Sequence, residues 1–193
     1  MAESSIIESI AAYVAGVLER PLPADVELKT RFHVLDTIAA MVTGSRLGPG
    51  EAAIKFARAQ GGTPEAAVIG SNVVTTAIIA AMANGMLAHA DETDDSHAPS
   101  LTHPGCAVVP ASLAVAERED ASGEALLRAV ALGYDVGCRI ARAMGGIGAR
   151  GMHGHATHSI GPMFGSTAAA AALAGLDPRG VRHALAYTAQ QAS

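Results

Sequence analysis

Aromatic residues are nearly missing from this chain: three Phe, three Tyr and no Trp in 193 residues. The bulk of its core therefore has to come from Leu, Ile, Val and Met. Lysine is scarcer still, with Lys29 and Lys55 alone. Lys and Arg together number 13 against 18 Asp and Glu, a formal net charge of −5, and no basic run offsets it. That balance argues against a nucleic-acid partner. The two cysteines, Cys106 and Cys138, show no metal-type spacing and sit in apolar surroundings. They read as small buried thiols of a reduced compartment, not as a disulfide. The most apolar window, Val73–Ala90, is interrupted by Asn84 and Gly85 and is too weak for a bilayer span. The N-terminus has no basic start of a signal peptide and carries Glu8 inside its apolar run. The expectation is a cytoplasmic protein with no membrane partner.

Half of the residues are hydrophobic and 16% are charged, enough for one well-buried domain. The apolar spacing is helical almost throughout. Ile6, Ile7, Ile10, Val14, Val17 and Leu18 share a face in Ser5–Glu19, and Pro21 and Pro23 end that element. A second helix starts near Asp25 and carries Leu28, Phe32, Leu35, Ile38, Ala39 and Val42 until Gly44, Gly48, Pro49 and Gly50 stop it. Glu51–Gln60 forms a third. Ala66–Gly70 is the one plausible strand, standing alone. Thr75–His89 is apolar almost all round, which predicts burial on most sides. Cys106–Glu117 and Glu124–Ala143 follow, the latter with Ser122 as N-cap. A glycine-dense loop spans Met144–Ser159, then come helices over Phe164–Leu176 and Pro178–Gln191, with Asp177 capping the last. Ala-rich faces predict close helix–helix approach. The fold class is all-α, one multi-helix domain over residues 1–193.

Two segments concentrate the titratable chemistry. The first, "AHADETDDSHAPSLTHP" (Ala88–Pro104), holds Asp91, Glu92, Asp94 and Asp95 with His89, His97 and His103. Crowded carboxylates raise one another's pKa and a nearby imidazolium lowers it, so such a cluster suits proton transfer near neutral pH. The plainer alternative is a solvated acidic loop that caps its flanking helices. The second, "RGMHGHATHSIGPMFG" (Arg150–Gly165), carries His153, His155 and His158 among glycines that allow close backbone approach to a ligand. Six of the eight histidines lie in these two segments; His33 and His183 sit in helical patterns and read as ordinary packing or surface residues. The pairs His153/His155 and His89/Asp91 raise a zinc or dinuclear site as an alternative, but no strand series supports an amidohydrolase arrangement. "GGIGARG" lacks the Gly-Lys-Ser/Thr of a phosphate loop, and no nucleophile elbow is present.

The stretch "NGMLAHADETDDSHAPSLTHPGCAVVPASLAVAE" (Asn84–Glu117) resembles the signature of the MmgE/PrpD family, which includes 2-methylcitrate dehydratase, cis-aconitate decarboxylase and iminodisuccinate epimerase. "HATHSIGPMFGSTAAAAALAGLD" and "ALAYTAQQAS" are similar to later segments of the same family, in the same order. The resemblance implies a helical domain of the MmgE/PrpD type, a smaller lid domain not contained in this chain, and a metal-free acid/base site between the two. Carried over by position, it makes His103 and His155 the proton carriers, with Glu92 and Asp94 orienting or tuning them. Ser96, Asp95, Thr102 and Thr157 become candidate substrate-binding residues. Where the family has Leu-Asp and an aromatic, this chain has Asp91-Glu92 and Thr93, and the interval from Asp95 to His103 is one residue longer.

The function implied is the helical part of a lyase: a dehydratase or decarboxylase moving a proton α to a carboxylate on a small di- or tricarboxylate, with no cofactor. The family's downstream lysines match neither Lys29 nor Lys55, so this chain alone is expected to be weak or inactive. Its expected partners are a small carboxylate and either further copies of itself or a chain carrying the lid domain. A non-catalytic dimerising subunit or truncated remnant is one alternative; a metal-dependent hydrolase is another.

Overall fold

The computed structural model describes residues 5–145 and 157–192, and they form an all-α domain. Helix α1 (Ile6–Gly16) runs into a 3-10 turn, Val17–Glu19. After it come α2 (Ala24–Gly44), α3 (Gly48–Gln60), strands β1 (Ala66–Ala67) and β2 (Val74–Thr75), then α4 (Ala77–Ala88) and α5 (Gly105–Arg118). The chain closes with α6 (Gly123–Ala143), α7 (Thr157–Leu173) and α8 (Pro178–Gln191). Local chemistry sets the ends. Ser122 Oγ accepts from the Ala125 N–H at 3.1 Å and Asp177 Oδ1 from the Gly180 N–H at 2.7 Å, each satisfying an orphan donor of a first turn. At α1 the Glu8 carboxylate reaches back to the Ser5 N–H at 2.8 Å.

Three expectations are corrected. Gly48, Pro49 and Gly50 do not merely stop α2; they are the first turn of α3, where a proline's missing N–H costs nothing. The strand does not stand alone: β1 pairs antiparallel with β2, Ala66 opposite Thr75 and Ala67 opposite Val74. Two-residue strands are too short to show an alternation. The pair closes over a turn in which Gly70 has φ +70° and the Ser71 hydroxyl donates to Val68 O. Helix α7 begins at Thr157, so the glycine-dense loop ends earlier than its composition suggests. Helix α4 is buried on most sides as expected, and Ile78, Met82 and Met86, spaced at i, i+4 and i+8, leave one open apolar stripe.

Helix α5 is central, packed against α4, α6, α7, α2 and β1. One apolar cluster gathers Met41, Leu87, Val108, Val109 and Val130. A second gathers Val14, Val17, Leu132, Val136, Val181 and Leu185, and Leu18 packs against both. Buried Asn84 joins α4 to the strand pair: its amide oxygen accepts from Ile69 N–H and its NH₂ donates to Ala67 O, both at 2.9 Å. Helices α6 and α7 also approach closely. A Cβ on Gly137 would stand 2.7 Å from Gly161 O, one on Gly161 the same distance from Gly137 O, and one on Gly165 would collide with the Gly133 carbonyl. Small residues thus bring the first turns of α7 beside the start of α5. The loop between α4 and α5 meets them there.

Candidate active site

The loop joining α4 to α5, residues 89–104, opens with His89, which C-caps α4, and closes on His103, just ahead of Pro104, the N-cap of α5. Its shape is built internally. Asp91 Oδ1 accepts from both the N–H and the hydroxyl of Thr93, an Asx turn that carries Glu92 at φ +58°. Further on, the His97 N–H donates to Thr102 O at 2.9 Å. The Ser100 hydroxyl stands 2.7 Å from both His97 Nδ1 and Thr102 Oγ1. Thr102 is 1% exposed, so its hydroxyl belongs to this network, whereas Ser96 is exposed on the loop surface.

The adjacent acidic pair points two ways. The side chain of Asp95 is held by the His33 Nδ1 at 2.7 Å, the Tyr134 hydroxyl at 2.7 Å and the Gly105 N–H at 2.9 Å. Burial opposes its charge, yet the bonds from His33, Tyr134 and Gly105 outweigh it and hold the carboxyl below the usual carboxylate range. Asp95 therefore clamps α2 and α6 to the start of α5. Burial first, then the Asp95 charge, pushes the Tyr134 hydroxyl well up, so it stays a neutral donor.

Asp94 turns to the other side. Its side chain is fully buried, with Oδ1 3.0 Å from His89 Nδ1 and Oδ2 3.6 Å from His103 Nδ1. Neither that Oδ2 nor that Nδ1 has a hydrogen-bond partner among the described residues. Burying a carboxylate and leaving one oxygen unpaired is costly to folding, so this arrangement is not explained by stability. The two histidine rings lie 5.7 Å apart, and His89 Nε2 is 3.7 Å from the exposed Glu92 carboxylate. The hydrogen bond His89 donates to Asp94 raises the pKa of His89 above its ordinary value, against partial burial and with help from the charges of Asp94 and Glu92. Burial and the neighbouring Asp94 carboxylate push the Cys106 thiol far up, and its Sγ donates to His103 O at 3.3 Å.

These groups floor a cleft of about 480 Å³ lined by His89, Glu92, Leu101, His103, Cys106 and, across from them, His158 with its neighbours Ser159, Pro162 and Met163 of α7. Among the described lining residues, the only groups able to carry positive charge are histidines. Of the sequence-predicted set, His103, Asp94 and Glu92 come together here. Asp95 and Thr102 stand behind the cleft floor as supports, and Ser96 lies on the loop surface. His155 lies outside the described residues, as do the side chain of Thr157 and the pair His153/His155 considered as metal ligands. The other pair considered for metal, His89/Asp91, is split: Asp91 serves its own turn. Sequence reasoning missed His33, Tyr134 and Cys106. The i, i+4 pair His33/Thr37 was one available signal, since Thr37 is fully buried in the middle of α2.

Comparison with known proteins supplies the frame. The MmgE/PrpD N-terminal domain matches residues 8–193. The chain is similar to cis-aconitate decarboxylase-like protein oryM of Aspergillus oryzae, 32% identical over 98% of this chain and 41% of that protein. It is similar also to cis-aconitate decarboxylase of Aspergillus terreus, 27% identical over 99% of this chain and 40% of that one. It thus spans about two-fifths of the length of these relatives. With the match covering nearly every residue, and the His-Pro loop and the α7 segment both inside it, the chain belongs to the MmgE/PrpD family and represents its N-terminal domain.

Proposed function

We propose that this chain is the helical part of a dehydratase or decarboxylase that moves a proton at the carbon α to a carboxylate of a small di- or tricarboxylate. The observation that carries the reading is the fully buried Asp94, bonded to His89 through one oxygen and facing His103 through the other at the floor of an open cleft. A buried carboxylate beside an imidazole fixes its orientation and stabilises its charged form, which is what a histidine that gives and takes protons requires. Gaps such as the 3.6 Å between Asp94 and His103 tighten on substrate binding in many acid/base sites. His155 is the second proton carrier in this reading, Glu92 at the cleft rim tunes His89 from 3.7 Å, and Ser96 on the loop surface holds the substrate. The similarity to cis-aconitate decarboxylases makes cis-aconitate the first substrate to try.

The developing carbanion needs more positive charge than histidines provide. Lys29 lines a different cavity, beside His33, and Lys55 lies on α3. We therefore assign the missing charge to lysines of a lid domain, on further chain or on a partner. The test is CO₂ release or dehydration measured with the lid domain supplied, in wild type, His103→Gln and Asp94→Asn. Loss of about 10²–10⁴-fold in either variant supports the assignment; full activity in both contradicts it.

A self-associating subunit without activity of its own is the second reading. It is favoured by the open stripes of α2 (Leu28, Phe32, Leu35, Val42) and α4 (Ile78, Met82, Met86), two helices that pack side by side. A chain that shows no turnover with the lid domain present and still self-associates decides for it.

A further inference from the structure

The cleft floor carries one group that proton transfer does not use: the Cys106 thiol. One ligand-type atom each from His89, Asp94 and Cys106 lies within 4.8 Å of the others. A second observation points the same way. Among the described residues, Asp94 Oδ2 is buried without a hydrogen-bond partner, and His103 Nδ1, likewise unpartnered there, stands 3.6 Å from it. That spacing is too long for a hydrogen bond. It is close to the ~3.3–3.6 Å that separates two ligands of one tetrahedral zinc ion.

We propose that His89, Asp94 and Cys106 form a binding site for a soft divalent cation of the Zn²⁺ type, with His103 placed to complete the coordination. A nitrogen, oxygen and sulfur set of this kind suits zinc and disfavours magnesium or calcium, which take oxygen ligands. One carboxylate and one thiolate balance the double charge. Movements of about an ångström close the set to zinc distances, and the His89 ring, nearly half exposed, has room to make them. The balance involves no redox change. The aquo ion loses water, the Asp94–His89 hydrogen bond breaks, and the Cys106 thiol proton passes to solvent as the sulfur–metal bond forms. Any second proton on His89 leaves with it. Occupancy takes His89, Asp94 and His103 out of acid/base service, so the cation acts as an inhibitor. That consequence rests on the proposed lyase reading; the binding itself does not.

The full chain is dialysed against Zn²⁺ and separately loaded with Co²⁺, whose absorption reports thiolate ligation. Expected is one ion per chain, with a thiolate-to-cobalt charge-transfer band in the near ultraviolet. Cys106→Ser abolishes that band, and Cys106→Ser and His89→Gln each weaken Zn²⁺ binding by at least the ~10–100-fold known for lesser disturbances of metal sites. Cys138→Ser leaves both unchanged. A missing charge-transfer band overturns the proposal, as does Zn²⁺ binding that survives both variants and is lost only on replacing His153 and His155. A failed lyase assay leaves the stoichiometry and the band as they are, so the two proposals fail separately.

Discussion

At the scale of single residues, the neighbours Asp94 and Asp95 have opposite tasks, and the pH behaviour of His89 and of Asp95 separates the two sides. The folded-state pKa of His89 is raised, chiefly by the Asp94 hydrogen bond. Its contribution to stability is therefore complete below the unfolded value near 6.5 and is lost as pH rises through the higher folded value. Thermal melts across that window should show wild type losing stability relative to His89→Gln. Asp95 runs the other way. Its folded pKa is depressed, so its stabilisation is present above the unfolded value near 3.8 and disappears as pH falls through the folded one. Asp95→Asn should flatten the acid limb of the same curve. A variant with an unchanged acid limb contradicts the clamp assigned to Asp95. The sequence displayed the acidic pair but not this division, because the partners that create it, His33 and Tyr134, lie 62 and 39 positions away on other helices. What was legible was the His-Pro pair and the density of acids; what was not was which oxygen meets which ring.

The elements follow the sequence closely where a cap or a periodic face fixes them. Ser122 and Asp177 cap α6 and α8 as their positions predict. The departures lie where glycine and proline are ambiguous: Gly48-Pro49-Gly50 reads equally as a stop and as a first turn. The α6/α7 crossing is the element-level feature the site depends on, because it carries His158 and Pro162 to the cleft wall. Gly165→Ala forces a methyl into the Gly133 carbonyl, and overpacking of this kind costs about 1–3 kcal/mol or more. Denaturant unfolding should show that loss, while Gly123→Ala, where an added Cβ meets nothing, should not. Asn84→Ala tests the link between α4 and the strand pair. It leaves the Ile69 N–H and Ala67 O unpaired and should cost about 1–3 kcal/mol for each group left buried.

For the molecule as a whole, α2 and α4 leave apolar stripes open on the surface. Among the described residues, no helix is long and apolar enough to cross a membrane, so the open apolar stripes of α2 and α4 are not lipid-facing spans. On the present account they face protein. Leu35→Asp, at a position 65% exposed, should leave the melting temperature nearly unchanged and shift the chain toward monomer in sedimentation. A wild-type chain that is already monomeric contradicts the self-association reading. Neither feature was visible from composition alone, since apolar residues on a helix announce burial without saying against what.

The central claim is that a small carboxylate substrate is handled by the Asp94-anchored histidines. Nitrogen NMR of the histidine side chains during titration with cis-aconitate tests it most directly, because it needs no turnover. The account predicts that the ring signals of His89 and His103 move together and saturate, and that Asp94→Asn abolishes the movement. Saturable binding that leaves both rings unmoved and shifts signals elsewhere contradicts it.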